Sequence, residues 1–314
     1  MRSNKSASKR GINRGTAART AASAARNDSR RAHPPYSIEF CEREYNARAA
    51  IPEHPQIFAR WAEQAAATRR LRACLIDLPY GESPAERLDL FPARDDGAPL
   101  FVFIHGGYWR SLDKSDFSWL APSFVAQGIS VVIPNYGLAP RVAIEDIVRH
   151  VLRALAWLYR NGERLGFDPG RIFVAGHSAG GHLTAMSMAA IWPRYGDDLP
   201  ADLVKGGLVI SGVFDLEPLV HAPFVNDDLQ LDVARARHVS PIFFPPATRA
   251  PLFTAVGALE SSEFKRQSAL FAARWRGNLV REITVPECHH LSVCEELAHP
   301  ASPLFDAALE LVRR

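Results

Sequence analysis

Two periodicities organise the apolar residues of this chain. Short runs rich in Val, Ile, Leu and Phe recur at residues 72–77, 87–92, 99–104, 129–134, 172–175, 207–210, 252–256 and 280–285. Bounded by turn-forming residues, they read as strands. The run at 99–104 is continuously apolar, as in a strand covered on both faces. Between the later runs the spacing changes. Ile144, Ile147, Val148, Val151, Leu152, Leu155 and Leu158 fall on one stripe of a 3.6-residue helix. Ile57, Phe58 and Trp61 mark a short helix, and others are predicted over 117–127, 181–192 and 304–312, with Phe264, Phe271 and Trp275 on one more. Eight strands with helices between the later ones predict an α/β fold. It is a mostly parallel, doubly wound sheet with flanking helices and a site at the C-terminal ends of its strands. Residues 213–250 break the rhythm with five prolines and read as an insertion near the pocket.

Charge changes the picture at one end. Residues 1–35 carry nine Lys/Arg and one acid, or +8; the whole 314-residue chain is +3, so residues 36–314 carry −5, the difference between the two. The leading segment is rich in Ser, Ala and Arg and cannot bury enough apolar surface to offset its ordering entropy. It is expected to be a disordered basic tail ahead of a single domain at 36–314. Its composition resembles an organelle transit peptide, and an early start codon or a solvated basic leader explains it as well. Because the remainder is mildly acidic, nucleic-acid binding is not expected. No run approaches the roughly 18–20 apolar residues of a membrane span. Cys41, Cys74, Cys288 and Cys294 show no C-x-x-C spacing and read as free thiols of a cytoplasmic protein.

The candidate chemistry begins at residues 171–182, where a strand runs into Gly176-His177-Ser178-Ala179-Gly180 and then a helix. A serine hydroxyl is a weak nucleophile and needs to be lifted from the backbone beside a base. A strand-to-helix elbow does this, with glycines where side chains would clash and free helix N–H groups nearby. Glu260 follows the seventh strand and His289-His290 the eighth. This order of serine, acid and histidine is the one α/β-hydrolases use. His290 would take the proton from Ser178, and Glu260 would hold the imidazole. His289 is the rival base and Asp215, after the sixth strand, the rival acid. Glu263 reads as a helix first-turn acid, and His177 and His182 as packed neighbours. His105-Gly106-Gly107 follows the third strand, where an oxyanion loop belongs; the donors are assigned to Gly106 or Gly107 together with Ala179. Adjacent histidines without an H-x-x-x-H or carboxylate cluster predict no metal, and no cofactor is expected.

His105-Gly106-Gly107-Tyr108-Trp109 with Gly176-His177-Ser178-Ala179-Gly180-Gly181-His182 resembles the arylformamidase (kynurenine formamidase) branch of the α/β-hydrolases, which borders the hormone-sensitive-lipase-like esterases. Glu44-Tyr45-Asn46, Asn135-Tyr136, Ser211-Gly212-Val213-Phe214-Asp215 and Glu263-Phe264 with Arg266-Gln267-Ser268 extend the likeness over residues 40 to 312. One departure stands out: the branch usually has aspartate where Glu260 stands, and the extra methylene moves the carboxylate. The resemblance implies hydrolysis of N-formyl-L-kynurenine in tryptophan catabolism, or of small aryl and acyl esters as in many relatives. Tyr108 and Trp109 are candidates for an aromatic substrate pocket or, equally, for packing the loop against the core, and Arg110 for a substrate carboxylate or a solvated surface position. A non-catalytic binding protein on the same scaffold would not need serine, histidine and glycines together. The expected partner is a small-molecule substrate, with neither nucleic acid nor membrane, and a homodimer is the assembly left open.

Overall fold

The fold is that of a computed structural model and is described for residues 36–314. The expected tail at 1–35 lies outside the described residues. Eight strands form one sheet: β1 Leu75–Pro79, β2 Arg87–Phe91, β3 Ala98–Ile104, β4 Ser130–Pro134, β5 Phe167–His177, β6 Val204–Ile210, β7 Leu252–Gly257 and β8 Leu279–Val285. Their spatial order is β1-β2-β4-β3-β5-β6-β7-β8. β1, β2 and β4 pair antiparallel, and every pairing from β4 through β3 to β8 is parallel. Parallel strands need helical crossovers, which cover both faces. Leu100 to Ile104 are therefore wholly buried.

The main helices are α1 Ile38–Tyr45, α2 His54–Leu71, α3 Ile144–Asn161, α4 Ala179–Ala189, α5 Pro223–Leu229, α6 Val233–His238, α7 Ser262–Arg274 and α8 Pro303–Arg313. α3 buries Ile144, Ile147, Val148, Val151, Leu155 and Leu158 of its predicted stripe, while Leu152 is only partly covered. α2 is longer than the short helix expected, with Ile57, Trp61 and Ala65 buried at four-residue spacing. The helix predicted over 117–127 is present in two pieces, a single turn at Ser118–Leu120 and the five-residue helix Ala121–Val125, with a further turn at Lys114–Asp116 ahead of it. Pro122 suits only the first turn of a helix, and Gly128 at φ +74° ends the segment. The elbow helix starts at Ala179, not at 181, and stops at Ala189. α1 had no prediction; the Ser37 hydroxyl caps it by accepting the Phe40 N–H at 3.1 Å. Residues 213–250 contain α5, α6 and single turns rather than an open loop.

Candidate active site

Ser178 sits between β5 and α4 at φ 57° and ψ −117°, a conformation that L-residues adopt only under constraint. The constraint is close backbone approach. A Cβ on Gly176 would lie 2.2 Å from the Gly180 carbonyl oxygen, and one on Gly180 would lie 1.9 Å from that of Ile104. The Ser178 N–H donates to Ile210 O at 2.8 Å, which fixes the turn to β6.

The structure brings three of the sequence candidates into one hydrogen-bonded series. Ser178 Oγ lies 3.0 Å from His290 Nε2, and His290 Nδ1 lies 2.7 Å from Glu260 Oε2. A carboxylate at Nδ1 selects the Nδ1–H tautomer and leaves Nε2 free to accept from the serine. The other Glu260 oxygen accepts from Gly257 N at 2.7 Å and from the Ser211 hydroxyl. The Glu260 carboxylate is thus anchored to the turn that begins at Gly257. Gly257 permits it, since a Cβ there would meet Cys288 O at 2.3 Å. Phe264 of α7 packs at a tilt of 31° against the His290 ring, with centroids 4.1 Å apart.

The rival residues lie elsewhere. His289 Nδ1 accepts from the N–H groups of Leu291 and Ser292, and its Nε2 faces Glu53 at 3.7 Å. Asp215 Oδ1 accepts from the Glu217 N–H at 3.1 Å, a turn cap. Glu263 opens α7 and accepts from the Tyr45 hydroxyl at 2.6 Å. His177 is buried, and its Nε2–H donates to His290 O at 2.7 Å. Burial, then the neighbouring His290, holds its pKa well below the ordinary histidine value. His182 is likewise buried, which lowers its pKa to about 4. Its Nε2–H donates to Val239 O, and its Nδ1 accepts from the Trp109 indole at 3.2 Å.

The loop after β3 is equally ordered. His105 Nδ1 donates to Gly106 O at 2.8 Å, with the Tyr136 hydroxyl 3.4 Å from the same oxygen. A trans peptide points its N–H opposite its C=O, so the Gly107 N–H is turned away from the His105 ring. Gly107, at φ +107°, lines a cleft with Tyr108, His177, Ser178 and His290. Neither the Gly107 nor the Ala179 N–H has an acceptor among the described residues. Gly106 is packed beneath, where a Cβ would lie 2.9 Å from His177 O.

Tyr108 lines the cleft and donates its hydroxyl to Tyr45 O at 2.6 Å. The assignment of Trp109 to a substrate pocket is corrected. Its side chain is fully buried, bonded to His182, and packs the loop against the core. Arg110 reaches the cleft but is paired with Asp228 at 2.6 Å. Sequence reasoning missed the opposite wall, where Asn46, Ala47 and Arg48 follow α1 and Phe58 and Trp61 come from α2, and it missed Phe224 of α5. Among the described residues no group of three or more His, Cys, Asp or Glu is placed to hold a metal ion, and no helix is long and apolar enough to cross a membrane.

An eight-stranded, mostly parallel sheet covered by helices, with a serine on the elbow after its central strand, defines an α/β-hydrolase. The BD-FAE family profile matches residues 88–192. Kynurenine formamidase of Danio rerio is 31% identical over 253 residues, covering 78% of this chain and 84% of that protein. Esterase LipQ of Mycobacterium tuberculosis is 29% identical over 246 residues, 71% of this chain and 58% of that one. Among solved structures, a candidate thioesterase from Silicibacter sp. TM1040 superposes with a TM-score of 0.75 at 30% identity, covering 86% of this chain and 97% of that one. Esterase B of Lactobacillus rhamnosis shares the fold, with a TM-score of 0.63 at 21% identity over 83% of this chain and 95% of its own. The chain belongs to the kynurenine formamidase family, bordering the hormone-sensitive-lipase-like esterases, and is a hydrolase.

Proposed function

We propose that this protein is a serine hydrolase of the arylformamidase type, cleaving N-formyl-L-kynurenine or a related aryl formamide through an acyl-enzyme on Ser178. The observation that carries the reading is the series Glu260–His290–Ser178, with hydrogen bonds of 2.7 and 3.0 Å, whose Ser178 and His290 line the cleft while Glu260 stands behind them. In this mechanism Ser178 Oγ adds to the formyl carbon as its proton passes to His290 Nε2. Glu260 stabilises the imidazolium. The oxyanion receives the N–H groups of Gly107 and Ala179, donors fixed before the charge develops. Collapse breaks the C–N bond, and His290 gives its proton to the departing arylamine. Water, deprotonated by His290, then adds to the formyl ester, and a second collapse releases formate and restores Ser178. The coverage of 84% of the Danio rerio formamidase, against 58% of LipQ, supports formamide over ester. A carboxylesterase acting on small aryl or acyl esters is the second reading. It uses the same steps and is supported by the likeness to LipQ.

The deciding measurement is kcat/KM for N-formyl-L-kynurenine beside p-nitrophenyl acetate and butyrate, with Ser178→Ala as the blank. A formamide value well above the ester values, within roughly 10⁴–10⁸ M⁻¹s⁻¹, is expected and places the enzyme in tryptophan breakdown. Ester turnover without formamide cleavage makes it a carboxylesterase. Full activity in a pure Ser178→Ala preparation overturns the mechanism.

A further inference from the structure

Two guanidinium groups line the cleft, and their surroundings differ. Arg110 is balanced by Asp228 at 2.6 Å. Arg48 forms no ion pair with a carboxylate among the described residues. Its Nη2 donates to Ser111 Oγ at 2.5 Å, and its guanidinium lies over the Phe58 ring, 5.2 Å from the centroid. Both partners are neutral. Ser111 Oγ in turn donates to Gly107 O at 2.9 Å. The Arg48 charge thus stands one hydroxyl away from the loop that presents the Gly107 N–H, on the same cleft as Ser178. No Asp or Glu lines that cleft. Burial, with the charge of Arg110 added to it, lowers the Arg48 pKa, yet a guanidinium keeps its proton in proteins. A half-buried cation with neutral neighbours and a like charge nearby costs free energy, and an anion in the cleft would offset that cost.

Resting on the formamidase reading, we propose that Arg48 is a specificity-determining residue that receives a carboxylate carried on the leaving-group half of the substrate. The acyl half of a formamide ends in a single hydrogen and has no room for an anion, so the charge belongs to the arylamine half. Arg110 is already paired, which leaves Arg48 to face it. The planar fork that holds Ser111 keeps further N–H donors for a carboxylate.

The test compares N-formyl-L-kynurenine with its carboxamide, which keeps the shape and removes the charge. The readout is the ratio of their kcat/KM values, which does not depend on how much of a variant is folded. In Arg48→Met this ratio is expected to fall about 10–100-fold, the range for hydrogen bonds to charged groups, with the loss in KM. Arg48→Lys is expected to recover part of it. An unchanged ratio in Arg48→Met overturns the proposal, as does an equal loss on both substrates, which would make Arg48 a mere support for the Gly107 loop. If the wild type cleaves esters and neither formamide, the formamidase reading fails. The same ratio is then read on 4-acetoxybenzoate and 4-acetoxybenzamide, where its collapse in Arg48→Met still upholds the role of Arg48 and its constancy overturns it.

Discussion

At the scale of single residues, the distance from His290 Nε2 to Ser178 Oγ and the turned-away ring of His289 give opposite expectations for neighbouring positions. His290→Ala should lower kcat by about 10⁴–10⁶-fold, as loss of a triad member does. His289→Ala should be at least about 100-fold milder, since its ring serves the local turn and faces Glu53 rather than Ser178. Steady-state assays of the two variants check this, and the reverse order would move the base by one residue. Glu260→Gln should cost about 10³–10⁴-fold in kcat, because a neutral amide stabilises neither the tautomer nor the imidazolium. A comparable loss in Asp215→Asn instead would relocate the acid to the turn that Asp215 caps. Ser178 was legible because its neighbours, Gly176 and Gly180, announce the backbone contact that the elbow requires. His290 and Glu260 were legible from their place after particular strands. Arg48 was not. Nothing in its local sequence signals that it stands beside Ser111, 63 positions away in the chain. Trp109 was legible only as one of two roles, because an aromatic beside a glycine loop reads the same whether it faces substrate or core.

At the scale of elements, the wall of the cleft depends on how α1 is held. Tyr45, at its end, donates to Glu263 Oε2 at 2.6 Å and accepts from Gln267 Nε2 at 3.0 Å, both on α7. Gln267 also binds the backbone of Phe214 and Asp215, so one amide joins α1, α7 and the loop after β6. Tyr45→Phe leaves buried polar atoms without that hydroxyl and should cost about 1–3 kcal/mol. A urea midpoint unchanged from wild type would show the network to be idle. A second tie lies under β2. Lys114 Nζ meets the fully buried Asp89 at 2.7 Å and the exposed Asp77 at 2.8 Å. Burial works against charge on Lys114, but the bonds and charges of Asp77 and Asp89 outweigh it and raise its pKa. Lys114→Met strands the Asp89 carboxylate and should destabilise by about 3–5 kcal/mol, read as a large fall in Tm. Most strands and the α3 stripe were readable, because burial on both faces leaves a pattern in the residues. α1 and the helices within 213–250 were not, because their folding rests on caps and distant partners rather than on periodicity.

For the whole molecule, acid should be the sensitive direction. His182 and His177 are buried and neutral in the folded state, with pKa values below those of an unfolded chain. The unfolded state therefore binds more protons as pH falls, and stability is lost on that side. For His182, with a folded value of about 4, the contribution is complete above about pH 6.5 and declines towards pH 4, amounting to about 3 kcal/mol. Urea midpoints from pH 7 down to pH 4 measure it, and a His182→Gln variant should show a shallower decline. The two ends of the sheet carry a different consequence. β1 has a register shift between Leu75 and Leu78, places Asp77 at φ 58° and ends in Pro79. β8 turns Arg281 and Glu282 outward. A bulge, a proline and exposed charges are the devices by which a sheet refuses further strands. The β1 rim of this molecule thus discourages the addition of further strands, while β8 relies on its charges alone beside the exposed Val280.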